Sequence, residues 1–380
     1  MTTPRVEDEC ATSIGPVRTE LHAGLPDELA AEWQEVFESD PDATPFVSPG
    51  WGLAWMRHFA DGAEPWLVTV RDGDRLVGLA PLALDRGRRK RALRTIGKEP
   101  GDYWDVIAVP EHRQAVSSAV AAELARRGDE WDSLYVAGQP GDSITGALTE
   151  QHSLLVSARA VTSCPRVTLP NDFDEYLRLL PGSHRSNVRK HLRRLDKGDV
   201  RLRDVTDVDE LEPAIARWHQ LHIKRWEALS KRINPDHVKP RFRDFMLDAT
   251  RALVPRGLAS VTEFLVDDEV AGVYVNLIDD RAFYWYLGGF EPARAKLGLG
   301  KMSVAHGIRW SIETGRRYFD FTRGEESFKY YFGAVNRHCP AVMVGNRRLR
   351  SRSNLALNGL RHRLGRVTRA ARVRVGWAGA

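Results

Sequence analysis

The sequence predicts an α/β chain built from two copies of one unit, each a mixed, largely antiparallel sheet flanked by helices. Three observations predict it. The 380 residues, 42% of them apolar, exceed what one core usually serves, so two units of about 150 to 200 residues are expected. The hairpin WLVTVRDGDRLVGLA, a Val-ended strand, an acidic turn and a second strand carrying Val and Gly, is echoed in FLVDDEVAGVY, a weak internal repeat. From Tyr284 to Gly333, finally, strand, glycine-rich turn, helix, strand and charged helix follow one another without a break.

In the first unit LPDELAAEWQEVFES has helical period, and Trp51, Trp55 and Phe59 repeat it after a Ser-Pro-Gly start, which makes these aromatics core. WLVTVRDGDRLVGLAPLALD reads as two strands about a D-G turn. RALRTIG and YWDVIAV are further strands, followed by a helix from about Pro110 to Arg127, a strand at WDSLYVAG and a short helix near Ser143 to Gln151. The second unit repeats the plan. VRLRDV is a strand, VDELEPAIARWHQLHIKRWEAL and VKPRFRDFMLDATRAL are helices, and ASVTEFLVDDEVAGVYVNLIDDRAFYWYLGGF gives three strands joined by D-D-E and D-D-R turns. The boundary falls between Ser153 and Asn171, giving a disordered N-terminus at 1–16, units at 17–165 and 166–346, and a basic tail at 347–380.

Composition excludes several classes. The longest apolar runs fall far short of the ~20 residues of a membrane span, and MTTPRVEDEC lacks the basic-then-apolar order of a signal peptide, so a cytoplasmic protein is expected. Cys10, Cys164 and Cys339 show no C-x-x-C spacing, which suits free thiols. No metal is expected: His219 and His222 lie three apart on a helix with no evident third ligand, and a packed amphipathic helix is the better account. The net charge of +5 rests on the tail, whose ten arginines, once set aside, leave 46 basic against 51 acidic residues. A second basic concentration, SHRSNVRKHLRRLDKGDVRLR from Ser183 to Arg203, is an amphipathic helix at its start; Arg185 and Arg189 are its candidate contacts to a phosphate-bearing ligand.

Gly298 and Gly300 stand where an aromatic strand gives way to a helix that Gly315 closes. The first free N–H groups of a helix, backed by its dipole, hold phosphate well, and glycine lets a ligand approach the main chain closely. Leu297, Gly298, Leu299, Gly300 and Lys301 are therefore the candidate anion cradle. The first unit has no such loop, since KEPGDYWDV follows RALRTIG, so one copy is expected to be catalytically silent. Asp102, Tyr103 and Asp105 are candidates to line a groove facing the second copy, against the alternative of an ordinary turn entering a strand.

The order strand, two helices, three-strand meander, G-x-G turn, helix, strand, helix resembles the GNAT acyltransferase superfamily. The tandem arrangement, SHRSNVRKHLRRL and FDFTRGEESFKYYFG resemble its CelD-type branch, a relative of the Fem-type aminoacyltransferases. The resemblance spans roughly Phe46 to Gly345 and implies tandem GNAT-like domains with an acyl thioester in a cleft where AFYWYLGG and RYFDFTRG splay apart. The superfamily's loop, [QR]-x-x-G-x-[GA], places Ala295 in its first position, with Arg294 and Lys296 beside it as candidate cations.

Acyl transfer to an amine needs a neutral nitrogen, donors for an oxyanion and a proton for the leaving group. Glu325 and Asp320 are the carboxylates nearest the expected cleft, with Glu325 the first choice as base. Gly288 and Gly289 are candidate oxyanion donors, and Tyr286 and Arg323 candidate substrate contacts. Tyr330 or Tyr331 is a candidate acid for the leaving group. Lys329 is either half of an i, i+4 pair with Glu325 or, as Fem-type relatives imply, a cation for phosphate or carboxylate. Three functions are open at this point: an N-acyltransferase using acyl-CoA (acetyl-CoA) and a small-molecule, sugar or peptide amine; a Fem-type transferase using aminoacyl-tRNA; and a non-catalytic binding scaffold. The tail is a candidate surface for tRNA or for the inner face of a membrane, or a segment that docks on the body of the protein.

Overall fold

The computed structural model describes residues 17–87, 91–98, 100–137, 143–158, 162–228 and 235–348. The expected N-terminal segment 1–16 and the tail beyond residue 348 lie outside them. The first half contains β1 (Arg18–His22), α1 (Asp27–Ser39), α2 (Pro49–Phe59), β2 (Glu64–Pro65), β3 (Leu67–Asp72), β4 (Arg75–Ala80), β5 (Leu82–Arg86), β6 (Arg91–Thr95), β7 (Ile107–Ala108), α3 (Arg113–Arg126), β8 (Ser133–Ala137), α4 (Ser143–Glu150) and β9 (Leu154–Ala158). The second contains β10 (Thr162–Thr168), α5 (Phe173–Leu179), α6 (Gly182–Asp196), β11 (Arg201–Asp204), α7 (Val208–Ala228), α8 (Pro240–Leu253), β12 (Ala259–Val266), β13 (Glu269–Ile278), β14 (Ala282–Phe290), α9 (Leu299–Glu313), β15 (Tyr318–Asp320), α10 (Ser327–Tyr330), β16 (Val335–Cys339) and β17 (Ala341–Asn346). Among the described residues no helix is long and apolar enough to cross a membrane.

The local sequence explains the turns. Ser48 caps α2 by accepting the Trp51 N–H at 3.3 Å, with Pro49 as the first helical residue. In the β12–β13 hairpin Val266 pairs with Glu269, and the two residues between, Asp267 and Asp268, take φ of 53° and 62°, the left-handed pair that matches strand twist.

The sheets do not divide where the sequence suggests. A seven-stranded sheet runs β11-β12-β13-β14-β15-β10-β16, and β10 already belongs to it from Thr162; a six-stranded sheet runs β2-β5-β6-β8-β17-β9, and a four-stranded one β1-β3-β4-β7. The strand β17, from the end of the chain's second half, thus lies between β8 and β9 of the first. Two features of its sequence suit it to a central position, though they do not select the sheet. Pro340 cannot donate to a ladder and ends β16, and all of AVMVGN is buried, as a central strand covered on both faces requires. Asn346 fixes the far end by donating from Nδ2 to Trp131 O at 2.6 Å.

On one face of the seven-stranded sheet α6 and α9 bury Val188, Leu192, Val304 and Ile308 against Phe283 and Phe319. On the other, α7 and α8 share one continuous core with the first half, where the Trp51 ring meets Phe245 edge-on at 4.8 Å and Phe46 meets Tyr284 at 6.0 Å. Trp51 is fully buried and donates from Nε1 to Gly97 O at 2.9 Å. Replacing Trp51 by Ala should therefore cost about 3 to 5 kcal/mol in chemical denaturation, and both halves should unfold in one transition. Two separated transitions would contradict the shared core.

Candidate functional site

The approach of strand to helix at Gly298 creates the first part of the site. Gly298 sits at φ 74°, a conformation costly for other residues, and caps α9 without a side chain. Its own N–H is bonded to Ala295 O at 3.0 Å, and Leu297 lies in a 3₁₀ turn, Pro292–Leu297, with its carbonyl accepting from Arg194 Nη1 at 3.0 Å. The cradle is thus narrower than expected. Its free donors are the amides at the start of α9, those of Leu299, Gly300 and Lys301. A methyl group placed on Gly300 would meet only the Tyr274 hydroxyl, at 3.6 Å, and one on Gly298 would lie 3.0 Å from His191 Cε1. Tyr274 is fully buried with its hydroxyl unpartnered, and His191 Nδ1 is buried and unpartnered too. Unsatisfied buried groups of this kind are costly in the absence of a ligand.

The cations of this corner come from an unexpected place. Arg294 is turned away, donating to Val266 O at 2.9 Å and pairing with Glu269 at 2.8 Å and Asp267 at 3.3 Å; Lys296 is exposed. Helix α6 packs beside α9 and supplies Arg194 instead, with the His191 ring next to it, while Lys301 Nζ lies 5.5 Å over the Tyr331 ring, on which His184 stacks at 3.9 Å. Burial first, then Lys301, lowers the His191 pKa. The predicted contacts Arg185 and Arg189 point elsewhere on α6: Arg185 donates to Leu180 O at 3.3 Å and Arg189 pairs with Asp174 at 3.6 Å.

The cleft itself follows from short pairing. β14 and β15 run parallel through Ala282↔Tyr318, Phe283↔Phe319 and Tyr284↔Asp320, after which β14 continues to Phe290 without them. Glu291 N–H bonds Ala271 O at 2.9 Å, so strand alternation turns the Gly289 amide toward β13 and the Gly288 amide toward the open edge. Gly289 therefore leaves the set of oxyanion donors. A methyl group on it would lie 2.4 Å from His222 N, which shows its role: α7 rests directly on β14. The Gly288 carbonyl accepts from His222 Nδ1 at 3.1 Å and Arg225 Nη1 at 3.1 Å. Burial holds His222 down to about 3, so its ring is neutral.

Beyond β15 the chain turns sharply. Thr322 takes φ 56°, strained for a β-branched residue, and its N–H donates to Asp320 Oδ1 at 2.7 Å, which also accepts from Tyr103 OH at 2.8 Å. Arg323 forms an ion pair with Asp102. Lys329 is buried and fully engaged, donating to Arg323 O at 2.8 Å and Gly324 O at 3.1 Å and pairing with Glu326 at 2.8 Å. It is a brace for the turn, and its acidic partner is Glu326 in place of Glu325. Glu325 Oε1 accepts from Ser163 Oγ at 2.5 Å and Asn336 Nδ2 at 3.4 Å, and Asn336 Oδ1 accepts from Tyr330 OH at 2.7 Å. One network joins Glu325 to Tyr330.

Residues 182–330 match the family described as the acetyltransferase (GNAT) domain. This part of the chain is similar to a GNAT acetyltransferase domain. The whole fold is similar to FemX, with TM-score 0.61 and 10% identity over 82% of this chain and 95% of that one. It is similar also to the C-terminal domain (DUF2156) of a putative lysylphosphatidylglycerol synthetase from Agrobacterium fabrum, with TM-score 0.52 and 11% identity over 86% of this chain and 93% of that one. A conserved protein of unknown function from Bacteroides thetaiotaomicron superposes with TM-score 0.53 and 9% identity over 84% of this chain and 97% of that one. No curated protein matches the sequence.

The first half forms a wall of the second half's cleft. Asp102 reaches Arg323, Tyr103 reaches Asp320, and the Tyr286 hydroxyl donates to Pro100 O at 3.1 Å. Burial opposes ionisation of Asp102, but Arg323 and Lys98 hold its pKa below the usual value. Asp105 is buried and accepts from the Val106 N–H at 2.8 Å. Several participants had no sequence signal. His237, which burial brings down to about 4 and which senses Asp102 and Arg323, lies on an irregular loop; Arg225 lies at the end of α7, close enough to sense both Tyr274 and Glu326. Tyr274 reads as one more core aromatic in AGVYVNLI. Among the described residues no group of three or more His, Cys, Asp and Glu is placed to hold a metal ion.

Two outcomes test this geometry. Tyr274→Phe should leave the melting temperature unchanged or raised, because a buried unpartnered hydroxyl is removed, while weakening a diphosphate-bearing donor about tenfold in calorimetry. Equal donor affinity would remove Tyr274 from the cradle. Burial pushes Asp320 up to about 6 from an ordinary 3.8. A raised carboxyl costs the folded state nothing below its unfolded pKa and most once pH has risen through the folded one. Asp320→Asn should therefore gain stability relative to the wild type as pH rises from about 4 to about 7. A difference that stays constant in urea titrations across that range would refute the assignment.

Proposed function

We propose that the cleft transfers an acyl group from an acyl-CoA thioester, such as acetyl-CoA, to the amine of a small-molecule, sugar or peptide acceptor. One observation carries the donor half of this reading: the free amides of Leu299, Gly300 and Lys301 converge with the buried, unpartnered Tyr274 hydroxyl. Amides at a helix N-terminus and a hydroxyl donor suit a diphosphate, and the open space over Gly300 admits one. The thioester carbonyl then lies along the open edge of β14, with the Gly288 amide as its donor. The acceptor enters from the side walled by Asp102, Arg323, His237 and Glu326.

In the transfer the amine nitrogen bonds to the carbonyl carbon, the C–S bond breaks, the ammonium proton leaves to a base, and the thiolate takes up a proton. Glu325 is the proposed base. It is exposed and held by Ser163 and Asn336, so it can take the proton directly or through water. Tyr330 shares that network, and Tyr331, beside Lys301, is the tyrosine on the donor side. The silent first half is proposed to select the acceptor.

A second reading, aminoacyl-tRNA as donor, draws support from α6, whose His191 and Arg194 flank the cradle within a run of basic residues. Calorimetry with acetyl-CoA and with aminoacyl-tRNA separates the two. Saturable binding of acetyl-CoA supports the first, a salt-sensitive RNA complex the second, and neither leaves the scaffold reading. Gly300→Val should abolish acetyl-CoA binding while preserving the fold, since the added side chain fills ligand space; unchanged affinity retires the cradle. Glu325→Gln should lower turnover by roughly a hundredfold with donor affinity intact, and full activity would pass the base role to another group.

A further inference from the structure

Building on the acyl-transfer reading, we propose that the acceptor amine belongs to a free amino acid, whose carboxylate is held by Arg225 and whose ammonium group is received by Glu326. The two side chains reach the cleft from different elements. Arg225 comes from the last turn of α7 and donates from Nη1 to Gly288 O at 3.1 Å, so its guanidinium stands on the unpaired edge of β14. The Trp226 and Phe290 rings lie 5.7 and 5.2 Å from it, which restricts where the planar group can swing. Glu326 stands immediately before α10 and is exposed.

No carboxylate lies against Arg225. Among the described residues it forms no ion pair: Lys224 beside it takes Glu291 at 2.9 Å, and Glu326, whose charge Arg225 senses, is held by Lys329 at 2.8 Å. Its hydrogen bond goes to a backbone carbonyl, which leaves the positive charge in place. Burial outweighs Tyr274 and Glu326 and lowers its pKa, a cost that a bound carboxylate relieves. With Nη1 fixed on Gly288 O, the fork keeps Nη2 for a ligand oxygen. Lys329 meets Oε2 of Glu326, so Oε1 is the oxygen left to accept from an ammonium. Cation and anion thus attract without meeting, and a ligand with one negative and one positive end completes both. A phosphate dianion fits less well, because one guanidinium neutralises only half of it and Glu326 repels the rest. Position decides which substrate carries the carboxylate. The N–H and C=O of one strand residue emerge on the same edge, so an anion on Arg225 lies next to the thioester carbonyl proposed for the Gly288 amide, whereas the donor's diphosphate lies at the far end of its arm, on the amides of α9. A nitrogen attacking that carbonyl brings a carboxylate to Arg225 only where the two groups are close together, as in an α-amino acid.

The experiment is thermal-shift titration of the full chain with each of the common L-amino acids and, for those that bind, with the matching carboxamide and the matching acid that lacks the amine, all at equal ionic strength. At least one amino acid should give a saturable rise, with its carboxamide and its deaminated acid each about tenfold weaker or more. Arg225→Gln should erase the advantage of acid over carboxamide, and Glu326→Gln the advantage of amino acid over deaminated acid. Arg225→Lys, which restores the charge, should regain most of the affinity and shows that the loss in Arg225→Gln comes from charge and not from a misfolded helix end. No saturable rise with any amino acid overturns the proposal. So does a carboxamide that binds as tightly as its acid, or an Arg225→Gln protein that still prefers the acid. Amino-acid binding should survive Gly300→Val, whereas acetyl-CoA binding should not, so the acceptor and donor readings can fail separately.

Discussion

Past Tyr284 the backbone of β14 has a partner strand on one side only, and the rest of the site depends on that unpaired edge. Backbone groups left open in a protein interior must find partners elsewhere. Here the Gly288 carbonyl finds them in His222 and Arg225, which is possible because glycine at 289 lets α7 settle directly on the strand. The Gly288 amide lies on the same edge. A third paired strand along this edge would close the cleft and remove the chemistry with it.

The opposite wall is held by contacts between the halves. Thr322 adopts a conformation that its β-branched side chain disfavours, and it is kept there by its bond to Asp320, by the Arg323–Asp102 ion pair and by Lys329 beneath the turn. The two halves are therefore not a catalytic unit with an appended relic. β17 completes the first half's sheet, and Asp102 and Tyr103 complete the second half's turn.

Charge is distributed to the same end. Buried acids away from the cleft are neutralised in pairs, as where Glu263 lies between Arg203 and Arg217 at 2.7 and 2.6 Å. Around the cleft, by contrast, Tyr274 Oη, His191 Nδ1, His222 Nε2, Arg225 Nε and Trp226 Nε1 are buried without partners. A folded chain tolerates such groups where a ligand supplies the missing bonds. Atoms of this kind also occur elsewhere among the described residues, Trp66 Nε1 and His112 Nδ1 among them, so it is their place beside the unpaired edge that gives these five a use.

The sequence alone determined whatever is written in short-range pattern. Helical and strand periods, the D-D turns, the glycine before α9 and the aromatic core of α2 are local consequences of side-chain spacing and backbone freedom, and the loop at Asp102–Tyr103 was legible because an aromatic, Pro-Gly-containing segment replaces a helix start. Only tertiary structure decided which charges are spent and which are free. Arg294 and Lys329 look like ligand cations in one dimension, yet acidic and carbonyl neighbours brought close by the β12–β13 hairpin and the turn at 321–326 consume them, whereas His191, Arg225 and Tyr274 gain meaning solely from the elements that pack around them. The same holds for β17. A buried hexapeptide announces a central strand, but pairing energy is nearly indifferent to which sheet receives it, and the choice is made by the space between β8 and β9.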